Sequence, residues 1–74
     1  MSFEEVKDVI DREVEKVIFI QSKNGKSSDV IRGMVKGLVL GMVKAFEKSG
    51  VISQMDGLNI YLEVYDGWYA YNGV

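Results

Sequence analysis

Residues 33–45 read GMVKGLVLGMVKA, which sets Gly33, Gly37, Gly41 and Ala45 four residues apart inside an otherwise strong helix pattern. Four-residue spacing aligns them in one row along a helix. Each glycine in a helix interior costs about 1 kcal/mol relative to alanine, and close approach of another backbone is the contact that offsets such a row. Two arrangements meet that need. Either another element of the same chain covers the ridge, or two copies cross there with Gly37 near the crossing point and Leu40 packing over a two-fold axis. The second predicts a homodimer interface made of Gly33, Gly37, Leu40, Gly41 and Lys44.

The chain of 74 residues is read as one small domain, 1–74, of globular composition with 47% apolar and 27% charged residues. A core this small is marginal without a staple, and there is no cysteine to make one. Cysteine and histidine are both absent, which excludes the usual zinc sites, thiol chemistry and histidine-based acid-base catalysis. Oligomerisation is the remaining source of added stability.

The net charge of −2 is unevenly divided. Residues 1–48 carry nine Lys and Arg against eight Asp and Glu, whereas residues 49–74 carry only Asp56, Glu63 and Asp66. A general nucleic-acid binder shows a basic face, and the C-terminal third cannot supply one. The longest uncharged stretch of the glycine helix, Gly37 to Val43, is far short of the ~20 residues a bilayer span requires. The chain starts with an acidic amphipathic segment, unlike a signal peptide, so a cytoplasmic location without a transmembrane segment is the expectation.

Ser2 and Glu5 form a capping-box pattern, and Phe3, Val6, Ile10, Val14 and Val17 follow as an apolar stripe. A first helix is expected over about 2–16. The run Val17-Ile18-Phe19-Ile20 is compatible with a last helical turn or with a short third strand at 17–21. Asn24-Gly25 marks a turn, Ser27 or Ser28 caps a second helix over about 28–49, and Gly50 stops it. Residues 59–65 alternate, with Ile60, Leu62 and Val64 on one face, and Asp66-Gly67 is a favoured hairpin turn. The pattern therefore predicts an antiparallel β-hairpin of 59–65 and 68–72 and an α+β fold.

Projected at 100° per residue, the second helix gathers Ile31, Met34, Val35, Leu38, Val39, Met42, Ala45 and Phe46 into a core arc. The glycines lie on a shoulder about 130° from its centre, and Leu40 and Val43 are left on the side expected to be solvated. Lys36, Lys44 and Lys48 beside a wide apolar face also superficially suit an interfacial membrane helix, although burial inside the domain explains that face more cheaply.

Three other patterns bear on function. VIFIQSKNGKSSDVI, residues 17–31, resembles a phosphate-binding loop through Gly25-Lys26-Ser27, but Ile20 stands where the first glycine belongs, which leaves an ordinary turn with a serine cap. Glu4, Asp8, Asp11 and Glu15 fall in one stripe of the first helix about 16 Å long. That stripe is either a solvated face or a row of charges able to occupy a basic groove of a partner. Tyr61, Tyr65 and Trp68 would lie together on the outer face of the hairpin, a favourable composition for a protein interface.

These features specify no catalytic residues, no cofactor and no metal. They predict a small acidic, non-enzymatic protein-interaction module, homodimeric through the glycine ridge. The alternative is a regulatory inhibitor that presents the acidic stripe to a basic nucleic-acid-binding site on another protein; Tyr61, Tyr65 and Trp68 are a separate partner-binding candidate. Direct nucleic-acid binding is not expected.

Overall fold

The computed structural model describes the backbone of residues 1–72 and the side chains of residues 1–65. Those residues form three α-helices: α1 from Phe3–Lys23, α2 from Ser28–Lys48 and α3 from Gln54–Asn72. The described part is all-helical, and the α+β expectation is wrong.

α1 begins as its first residues dictate. The Ser2 hydroxyl accepts from the Glu5 backbone N–H at 3.2 Å, and the Glu5 carboxylate accepts from the Ser2 N–H at 3.1 Å. That backbone N–H, with the hydroxyl, holds the Glu5 carboxyl below its ordinary range. Val6, Ile10 and Val14 recur every fourth residue and are buried. The helix does not stop at 16. Residues 17–21 are helical, so the proposed third strand is absent: Val17 and Ile18 prolong the buried stripe, while Phe19 and Ile20 face outward. A strand there would need a neighbour for its ladder, and a helix satisfies the same amides locally. Lys23 then covers the Phe19 ring, its ammonium 4.5 Å from the centroid.

Both helix-to-helix turns use one device. Gly25 and Gly50 adopt φ of +77° and +78°, the left-handed conformation that ends a helix. After α1, Gly25 N–H reaches Ser22 O and Lys26 N–H reaches Gln21 O, both at 3.1 Å. After α2, Gly50 N–H reaches Glu47 O and Val51 N–H reaches Phe46 O, again at 3.1 Å. Gly25 is thus a helix stop and Ser27 the N-cap of α2, accepting from Val30 N–H at 3.4 Å. The loop that resembles a phosphate cradle is occupied with ending one helix and starting the next.

α3 replaces the hairpin. Asp66-Gly67 lies within a helix instead of a turn, and the cross-strand pairs of 59–65 with 68–72 do not exist. Two sequence signals favour the helix. Ser53 followed by Asp56 repeats the Ser2–Glu5 capping pattern, and Ser53 Oγ accepts from Asp56 N–H at 3.0 Å. Gly57, Ile60 and Val64 then follow at intervals of three and four and are buried together. Leu62, which the alternation placed beside Ile60 and Val64, instead points outward.

Short connections make sequential helices antiparallel. α2 is the central element, carrying α1 on one flank and α3 on the other, with a smaller α1–α3 contact. The result is an elongated bundle of 37 × 20 × 17 Å. Its core joins Val6, Ile10 and Val14 to Ile31, Val35, Val39 and Val43 and to Ile52, Ile60 and Val64. The predicted arc of α2 is rotated by about 50°, half a residue position: Ile31, Val35 and Val39 are buried as expected, Met34 and Ala45 are exposed, and Val43 is core rather than stranded. The missing α3 explains the error, because it is α3 that covers Val43.

Gly57 is where α3 comes closest to α2. A methyl group on Gly57 would lie 2.8 Å from Val43 Cγ1 and would overlap the Glu47 carboxylate. The close approach that glycine permits therefore occurs at Gly57, outside the row at 33, 37 and 41.

Candidate functional site

The outer face of α2 is the first candidate surface. Gly33, Gly37 and Gly41 are exposed, and a Cβ at any of them would meet nothing within 4 Å. Among the described residues, no element of the same chain covers the ridge. Among the described residues nothing offsets the cost of the glycines within the monomer.

Side chains along the same face make it apolar. Val30 is 47% exposed, Met34 41% and Leu40 37%, and Ala45 is also exposed. In the sequence Met34 reads as core and Val30 is assigned to no face, so the interface set Gly33, Gly37, Leu40, Gly41 and Lys44 lacks both. The signal that finds them is the i, i+4 row Val30, Met34, which runs parallel to the glycine row. Lys44 and Lys48 stand on this face with aliphatic stems able to lie along it.

The acidic stripe is present as a continuous edge of α1. Glu4, Asp8 and Glu15 are exposed and Asp11 is half-buried. Burial pushes the Asp11 carboxyl above its ordinary value; Lys7 pulls it down, while Asp8, Glu15 and Glu63 push it further up. Lys7 is shared with α3 through an ion pair to Glu63 at 3.5 Å. Other exposed pairs are local, Lys16–Glu13 at 3.2 Å and Arg32–Asp29 at 3.5 Å, and such pairs contribute little to stability. Among the described residues no three acids converge to hold a metal ion.

The third candidate set is redistributed. Tyr61 and Tyr65 are successive residues of one helical row, stacked with centroids 5.5 Å apart and ring planes 10° from parallel. Both are half-buried against the core and do not stand on an outer sheet face. The side chain of Trp68 lies outside the described residues. Between α2 and α3 runs an open groove of about 820 Å³, lined by Leu40, Lys44 and Glu47 on one side and Met55, Leu58 and Tyr61 on the other.

No helix among the described residues is long and apolar enough to cross a membrane. Comparison with known proteins finds no matching family model, no matching curated protein and no matching solved structure.

Proposed function

We propose that the protein is a self-associating interaction module whose copies meet through the outer face of α2. One observation carries this reading: three glycines in the interior of a 21-residue helix border open space, beside exposed Val30, Met34 and Leu40. Glycine weakens a solvent-facing helix position and brings it no benefit, so the row gains a physical reason only when a second surface approaches it. The remaining chemistry supports an interaction role rather than catalysis, since the chain offers no histidine or cysteine and the acids form a line instead of a cleft.

The test uses Gly37→Leu with light scattering coupled to size exclusion. Space at Gly37 is open, so the variant should fold, and leucine should raise the helix's own stability by up to about 1 kcal/mol. The expected outcome is a parent that associates as concentration rises and a folded variant that stays monomeric. A parent that remains monomeric at every concentration defeats the proposal.

A second reading has its own support in the continuous edge of carboxylates along α1, with Glu4, Asp8 and Glu15 exposed. In that reading the protein is an inhibitor that lays the edge Glu4, Asp8, Asp11 and Glu15 in a basic groove of a partner. Binding of that kind weakens steeply with salt. Capture of a basic partner that survives 0.5 M salt unchanged would argue against it.

A further inference from the structure

We infer that the occupant of the α2–α3 groove is a second copy of this chain, and that the self-association interface spans α2 and α3 together. This inference rests on the self-association reading and extends it to a second element.

Area is the first argument. Val30, Met34 and Leu40 are each less than half exposed, and three such side chains are far fewer than the roughly 20–30 residues per side of a standard stable interface. The α2 face alone is too small. Across the groove, Met55 is 65% exposed, Leu58 52% and Leu62 46%. With half-buried Tyr61 and Tyr65 beside them, they more than double the apolar side chains available on this side of the bundle.

The patterning of α3 is the second argument. Its buried row, Gly57, Ile60 and Val64, faces α2 and α1, while Met55, Leu58 and Leu62 form another apolar strip beyond the tyrosines. Between Gln54 and Tyr65 the only charges are Asp56 and Glu63, and Glu63 is drawn toward Lys7 of α1. A helix apolar around most of its girth is one that is covered on most of its girth. The strip is also continuous with the α2 face, because Leu40 and Lys44 line the groove that Leu58 and Met55 close from the other side.

One two-fold arrangement uses both elements: α2 antiparallel to its counterpart across the glycine row, and α3 beside it against the counterpart α3. Each copy then supplies two helices to a four-helix layer, and the axis requires no surface other than this one. Leu58 and Leu62 become buried, Lys44 and Glu47 remain at the groove rim, and the acidic edge of α1 stays in solvent.

The experiment compares the full chain with Leu58→Lys, Met55→Lys, Gly37→Leu and, as a control on α1, Glu15→Gln. Association is read by light scattering over a concentration series, and folding by circular dichroism. Leu58 and Met55 are more than half exposed, so lysine there should leave the monomer folded. The expected result is that each lysine variant and Gly37→Leu weaken association at least about tenfold while Glu15→Gln does not. If Gly37→Leu dissociates the parent but both lysine variants associate normally, the interface is α2 alone; the inference is overturned and the proposed function stands. If only the lysine variants dissociate it, the copies meet through α3 and the glycine-row reading falls. A monomeric parent overturns both.

Discussion

Two glycines in similar sequence surroundings have opposite roles, and substitution by alanine separates them. At Gly57 the added methyl would press on buried Val43, which cannot swing away, and on the Glu47 carboxylate, which can. Overpacking of this kind costs about 1–3 kcal/mol, and the better helix propensity of alanine returns up to about 1 kcal/mol. Gly57→Ala should therefore lower the thermal midpoint, by about 4–8 °C for each net kcal/mol lost in a domain of this size. Gly37→Ala meets open space and should raise the stability of the monomer. Thermal unfolding of both variants at low concentration checks the pair. Asp11 gives a pH-dependent counterpart. Its folded pKa is raised, chiefly by burial, so its contribution is favourable below the unfolded aspartate value and is lost as pH rises through the folded one. Asp11→Asn should be more stable than the parent at pH 7, and the gap should close as pH falls below the aspartate range in a denaturant titration series.

At the scale of elements, what was legible depended on whether the signal was local. Ser2 with Glu5, Ser27, and the glycines at 25 and 50 act within a few residues, and the caps at Ser2 and Ser27, the turn at Gly25 and the stop at Gly50 lie where the sequence places them. The length of α1 and the whole of α3 depended on competition between periods. Ile60, Leu62 and Val64 satisfy a two-residue alternation, while Gly57, Ile60, Tyr61, Val64 and Tyr65 satisfy a helical row, and Asp66-Gly67 tips a local reading toward a turn. The helical row prevails because α2 has a valley above Val43 and Val39 for a helix to enter, whereas a lone hairpin has little to pair with. The same competition moved the candidate site: the glycine row was visible, but Met34 was hidden by a core arc centred without α3, and Val30 was assigned to neither face. Ser53 is the overlooked local signal. Removing its hydroxyl with Ser53→Ala should cost about 1 kcal/mol, and hydrogen exchange should show faster opening at the start of α3 than in α1.

At the scale of the whole molecule, the acidic edge of α1 lies away from the α2–α3 apolar surface, although Phe19 and Ile20 are also exposed at the end of α1, and that separation decides how association should respond to conditions. The acidic edge belongs to α1 with Lys7 and Glu63 between it and α3, whereas exposed Val30, Met34, Leu40, Met55, Leu58 and Leu62 follow α2 and α3. Contact through the second surface draws on apolar burial, which salt does not screen, and leaves the first surface hydrated. A bundle with a core of small aliphatic side chains, mostly valine, is also one in which association contributes visibly to stability. Unfolding linked to dissociation makes the thermal midpoint depend on concentration. A tenfold rise in protein concentration should therefore raise the midpoint by a few degrees, equally at 0.1 M and 0.5 M salt, in scanning calorimetry of the parent chain. Gly37→Leu should lose that concentration dependence while keeping its cooperative transition. A midpoint that rises with concentration only at low salt would instead place the contact on the charged edge of α1, against the lysines of a neighbouring copy, and would reverse the assignment of the two sides.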